Sequence, residues 1–244
     1  MTDRGGHFFV ISSFLSLTKK ELITIIDKNK IHYRFPLRLV TSNFWANLSS
    51  RAKAILPVIG VFANKKGIAS PGIRKIAEYS GYKSKDPEEV SAGLKELELK
   101  GLIKIRKYGR HYIYYLQDIA RWHRGTSFFP IFKIGMVLNH AWADLTPSEK
   151  ALYVVLGVKA KINAARAIDS GCFAIGEVSK IKKYCKWAGI SRMSFYRAYE
   201  GLIKKVFIQE DFDRKNVYGI FVENCQYVYE IVKEIRRYPT DIFY

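Results

Sequence analysis

A stretch of nineteen residues that occurs twice constrains this chain more than any other feature. Trp45-Ala-Asn-Leu-Ser, followed by Lys53-Ala and Val58-x-Gly-Val-x-Ala63, returns as Trp142-Ala-Asp-Leu-Thr, Lys150-Ala and Val155-x-Gly-Val-x-Ala160. Nine of the nineteen positions from Trp45 to Ala63 are identical at an offset of 97. Unrelated segments of this length share about one residue by chance, and self-similarity on this scale marks a duplicated unit. Both copies open alike, with Phe35-Pro36 and Phe129-Pro130 ahead of the Trp. The chain is one module used twice.

Local signals set the order of elements within each copy. Ser49 and Thr146 predict N-caps, each followed by an apolar run long enough for a first helix, over about 50–64 and about 147–163. Pro57 inside the first of these predicts a kink or a broken start. Gly67–Ser70 and Cys172–Ile175 predict short strands. Ser70-Pro71 reads as a cap with Pro at the first helical position, opening a second helix that closes at Gly81; its counterpart runs from roughly Glu177 to Ala188 and closes at Gly189. The third helices carry apolar trios at matched spacing, Val90, Leu94, Leu97 and Phe195, Tyr199, Leu202, each on one helical face. Two β-rich runs then predict a hairpin in each copy, Leu102–Arg106 with His111–Leu116 around a turn at Lys107-Tyr-Gly-Arg110, and Val206–Gln209 with Val217–Val222.

Helix, short strand, helix, turn, helix and hairpin is the order of a winged helix-turn-helix. The fold expected is therefore mainly α with small β-hairpins, in the α+β class, with two tandem winged helix-turn-helix domains related by the internal repeat. Residues 1–34 form an N-terminal extension with a helix near Thr18–Lys28, 35–117 the first domain, 118–128 a connector, and 129–244 the second domain with a C-terminal helix near Asn224–Arg237.

Charge points to the partner. Lys and Arg number 41 against 22 Asp and Glu, a formal net charge of +19. Solubility asks for a magnitude of only about 2–8 in a small domain, so a polyanion is expected. The excess is uneven at the place that matters, because a recognition helix lays its exposed face against phosphates and base edges. From Lys180 to Lys205 there are eight basic residues and one acid, whereas Lys83 to Lys100 holds four basic residues and five acids. The second copy is the expected reader of double-stranded DNA. Its candidate contacts are Lys180, Lys182, Lys183 and Lys186, then Ser191 as helix cap with Arg192, Ser194, Tyr196 and Arg197 outward, and Arg214, Lys215 and Asn216 at the hairpin tip. The first hairpin offers Arg106, Lys107 and Arg110 to phosphate or the minor groove.

Trp45, Trp142, Tyr79 and Trp187 are read as packing residues, and the partly alternating Tyr112, Tyr114 and Tyr115 as a candidate subunit interface. Cys172, Cys185 and Cys225 form no CxxC pair and have no His at zinc-ligand spacing, so neither disulfides nor a metal site is expected. No 18-residue apolar run or cleavable leader stands out, which predicts a cytoplasmic chain without a membrane span. The five His are scattered and no P-loop is present, so neither catalysis nor a cofactor is expected.

Ala188-Gly-Ile-Ser-Arg-Met-Ser-Phe-Tyr-Arg-Ala-Tyr-Glu-Gly-Leu202 resembles the turn and recognition helix of bacterial helix-turn-helix proteins, with a Gly, a Ser cap and a buried residue four positions later. Together with Phe35-Pro36, Leu48-Ser49 and the repeated Lys-Ala, the paired architecture over about 35–237 is similar to plasmid replication initiators. That resemblance implies a first domain serving dimerisation and contacts with host replication proteins, and a second that binds origin repeats. A transcriptional regulator and an architectural or segregation protein are the alternative readings, because fold does not fix function.

Overall fold

A computed structural model describes residues 32–82, 87–109, 111–117, 128–138, 140–159, 174–178, 180–205, 207–210 and 217–220. The predicted terminal helices lie outside the described residues, as does the predicted connector except Phe128, which opens β5. The architecture is α+β, helices with small antiparallel sheets, and one order of elements occurs twice. The first copy has β1 (His32–Pro36), α1 (Leu37–Thr41), α2 (Ser50–Phe62), β2 (Ile68–Ala69), α3 (Ile73–Ser80), α4 (Pro87–Leu99), β3 (Ile103–Tyr108) and β4 (His111–Leu116). The second has β5 (Phe128–Phe132), a π-helical segment (Lys133–Leu138), α5 (Pro147–Lys159), β6 (Ala174–Glu177), α6 (Ile181–Ala188), α7 (Arg192–Lys204), β7 (Ile208–Glu210) and β8 (Val217–Ile220). The three-stranded sheets match, in the orders β2-β4-β3 and β6-β8-β7.

The caps follow local chemistry. Ser49 Oγ accepts from the Ala52 N–H at 3.2 Å. Thr146 and Glu149 form a reciprocal capping box, with Thr146 N–H donating to Glu149 Oε2 at 2.7 Å and Glu149 N–H to Thr146 Oγ1 at 3.4 Å. Gly81 and Gly189 end α3 and α6 in the left-handed region, at φ 82 and 67. Three expectations need correction. Helix α2 is continuous from Ser50 to Phe62 with Pro57 inside it, so its start is not broken there. Helix α3 starts after Gly72 rather than at Ser70-Pro71, and α6 starts at Ile181 rather than near Glu177, which belongs to β6.

Burial on every side distinguishes the first helices. Ala52–Val61 of α2 and Glu149–Val158 of α5 are continuous buried runs, so neither helix has the single apolar stripe of a surface helix. Each covers the other, and the buried side chains form one core through both copies. The indole N–H of Trp45 donates to the carbonyl of Ala151 at 3.1 Å, and that of Trp142 to the carbonyl of Ala54, the repeat equivalent of Ala151, at 2.9 Å. Strands β1 and β5 pair antiparallel with Phe35 opposite Phe129, its own equivalent. Equivalent residues facing each other, and reciprocal bonds between equivalents, are what a two-fold relation produces. The copies differ locally: Trp45 follows Pro36 by nine residues and Trp142 follows Pro130 by twelve, and the longer connection is the one containing the π-helical segment.

The repeated lysines are buried with their indoles. Lys53 Nζ donates to the carbonyls of Ala46 and, across the interface, Ala188, at 3.2 and 3.0 Å. Lys150 Nζ donates to the carbonyls of Ala143, at 3.2 Å, and Leu145. Burial pushes both ammonium groups down to about 8. An unfolded lysine keeps its proton to a higher pH, so between about pH 8 and pH 10 the unfolded state binds more protons and stability rises with pH. The urea midpoint should therefore increase from pH 7.5 to 9.5 (values chosen to span about that window) and increase less in Lys53→Met and Lys150→Met. An unchanged slope in both variants refutes the assignment. Burial of the Tyr114 phenol, held up at about 12, opposes this trend only above the ordinary tyrosine range.

Candidate nucleic-acid interface

Helices α6 and α7, joined through Gly189 and Ile190, build the site in the second copy. Ser191 caps α7 as the sequence predicts, its Oγ accepting from the Ser194 N–H at 3.1 Å, and the two hydroxyls lie 2.9 Å apart. Ser194 is thereby half-buried in the cap rather than fully outward. Phe195 and Leu202 are buried with Ala198, and Tyr199 is half-buried and stacked on Phe195 at 5.7 Å. That anchoring fixes the opposite side, where Arg192, Met193, Tyr196 and Arg197 are exposed.

Arg192 is positioned by its own helix. Its Nη2 lies 3.4 Å from Tyr196 Oη, and its guanidinium 5.8 Å from the ring centroid, an i,i+4 pair. The Tyr196 hydroxyl raises the guanidinium pKa above its ordinary value. Lys180, Lys182, Lys183 and Lys186 are also exposed. Among the described residues no carboxylate forms an ion pair with any of these four, with Arg192 or with Arg197. Lys205, part of the same basic stretch in sequence, is withdrawn: its ammonium bonds Glu149 Oε2 at 2.7 Å and the Asp144 carbonyl at 2.8 Å.

The first copy treats the equivalent helix differently. Glu89 of α4 pairs with Arg51, with one contact of 2.7 Å. Glu96 accepts from the Ser49 N–H at 2.9 Å, and Glu98 from the Ile105 N–H at 2.8 Å. These acids are structural ligands of their own module, on a helix whose first turn is acidic at Glu88 and Glu89.

The hairpin candidates separate. Arg106 and Lys107 sit on opposite faces of β3, opposite Ile113 and Tyr112 respectively. Arg110, Arg214, Lys215 and Asn216 lie outside the described residues. Of the tyrosines on β4, Tyr114 is buried and Tyr112 and Tyr115 are half-buried. Trp45 and Trp142 are fully buried, whereas Tyr79 and Trp187 only pack against the core from outside.

One pairing was missed from sequence. Lys159 and Lys183 lie 3.9 and 4.9 Å from the centroid of Trp187, and burial, reinforced by Lys183, lowers the Lys159 pKa. Phe62 and Tyr79 occupy the corresponding places in the first copy and make a ring contact at 5.8 Å. The signal was available in the positions where the repeat departs from itself.

Among the described residues no group of His, Cys, Asp and Glu is arranged to hold a metal ion, and no helix is long and apolar enough to cross a membrane. No protein-family model, curated protein or solved structure matches the chain.

Proposed function

We propose that this chain is a sequence-specific double-stranded DNA-binding protein of the plasmid replication-initiator type, with two winged-helix modules in tandem and the second as principal reader. The observation that carries the reading is the contrast between equivalent helices. Helix α7, with α6 beside it, presents exposed cations that no described carboxylate neutralises. Three of the four acids of α4, Glu89, Glu96 and Glu98, are committed to bonds within their own module. Cations and a capped helix N-terminus complement phosphate, and an arginine in the first helical turn has the reach and geometry for a guanine edge. The chain acts in this reading by occupying its site in the cytoplasm and gathering replication proteins there, not by catalysis.

Arg192 and Arg197 separate base reading from phosphate binding. Five residues apart, they differ by roughly 140° around the axis at 3.6 residues per turn. Arg192, steadied by Tyr196, belongs to the end that enters the groove, and Arg197 faces a flanking strand. On a duplex selected from a randomised pool, Arg192→Ala should cost about 1–3 kcal/mol and cost little on scrambled duplex. Arg197→Ala should weaken both alike and flatten the salt dependence by about one unit. Equal losses on both duplexes for Arg192→Ala remove the base-reading role.

A further inference from the structure

The outer face of the β3–β4 hairpin carries Arg106, a candidate for duplex phosphate, but its tyrosines have no part in the duplex reading. Directly opposed residues share a face in an antiparallel pair, so Lys104 with Tyr115, Arg106 with Ile113, and Tyr108 with His111 lie together. Ile103, Ile105, Tyr112, Tyr114 and Leu116 occupy the other face, in or against the core, but Tyr108, Ile113 and Tyr115 do not pack there. Tyr108 is 53% exposed.

The side chains of this outer face hold one another in place. The Arg106 guanidinium lies 5.6 Å from the Tyr115 ring centroid. Arg106 foremost, and Tyr115 after it, lower the Tyr108 phenol below its ordinary value. Lys104, Arg106 and His111 bring positive or protonatable groups to the face, and none of its six residues is acidic. Aromatic rings set among cations suit the exposed faces of unpaired bases and the phosphates that join them. In a duplex those base faces are covered by stacking. Addition of a protein strand is disfavoured at this edge of the sheet, because Glu98 already accepts the Ile105 N–H at 2.8 Å.

We propose that this face binds single-stranded DNA, with Tyr108 and Tyr115 stacking on unpaired bases and Lys104 and Arg106 holding the phosphates. The site lies on the first module, away from α6 and α7, and stands or falls independently of the duplex reading.

Fluorescence anisotropy of the full chain with a labelled oligothymidylate of about 12 nucleotides tests it. Binding should persist in excess unlabelled duplex. Tyr108→Ala and Tyr115→Ala should each weaken it about tenfold, Tyr115→Phe should retain most of it because the ring remains, and duplex affinity should not change. Tyr108 is at the exposed tip, so its variant answers the question even if Tyr115→Ala unfolds. Four results overturn the proposal: no binding by the wild-type chain, wild-type affinity in Tyr108→Ala, equal losses on single strand and duplex, or a preference for oligouridylate over oligothymidylate.

Discussion

Replacing Gly189 with alanine should destabilise the fold by about 2–5 kcal/mol, the sum of left-handed backbone strain and a steric clash that cannot relax cheaply. At φ 67, a Cβ on Gly189 would lie 2.3 Å from the carbonyl oxygen of Ala46, in the other copy. Gly81, at φ 82, meets the carbonyl of Ala143, the equivalent of Ala46, at the same 2.3 Å. Both obstacles are backbone atoms, so no side-chain rotation relieves them, and Gly81→Ala should be as costly. Gly101 and Gly109 provide the control. Their φ values are also positive, 67 and 58, but nothing lies within 4 Å of an added Cβ, so each should lose only about 1–2 kcal/mol from strain. Equilibrium urea unfolding measures all four, and the shared core predicts one transition for both halves. If Gly189→Ala costs no more than Gly109→Ala, the close approach of the two copies is wrong.

Duplex affinity should fall about a thousandfold between 50 and 200 mM salt (concentrations taken with the roughly −5 log–log slope expected for about six phosphate contacts). Five exposed cations supply most of those contacts, Lys180, Lys182, Lys183, Lys186 and Arg197, with Arg192 turned to the base edge. Unpaired within the described protein, they have no internal carboxylate to release before meeting phosphate, so each contact displaces counterions from the DNA. Replacing Lys182, Lys183 and Lys186 together with glutamine should reduce the slope by about two to three units. Anisotropy titrations on one duplex over that range decide the matter; a slope near zero for the wild-type chain eliminates the proposed interface.

Much of each copy was legible because the relevant forces are local. Ser49, Thr146 and Ser191 cap helices as their hydroxyls predict. Gly81 and Gly189 stop helices where a left-handed residue is required. The trio Val90, Leu94 and Leu97 is buried because its spacing selects one face of α4. The charge contrast between α4 and α7 could be counted from the chain, although not the bonds that tie Glu89, Glu96 and Glu98 into their module. Those bonds join residues far apart in sequence, as do the contacts of Lys205 with Glu149 and Asp144.

The duplication, the order of elements and the cap positions are properties of the sequence itself. How the copies meet was decided only in three dimensions. Repeat identities such as Trp45 and Trp142, Lys53 and Lys150, or Ala46 and Ala143 look like ordinary core and surface positions along the chain. Several of them form the contact between copies, through indole-to-carbonyl bonds, a buried ammonium and a glycine pressed on a carbonyl. Periodicity reports which side of a helix avoids water, but α2 and α5 are buried on all sides and carry no single stripe to read. The partner surface that buries their remaining sides comes from the other copy, so their environment arises only when distant segments pack.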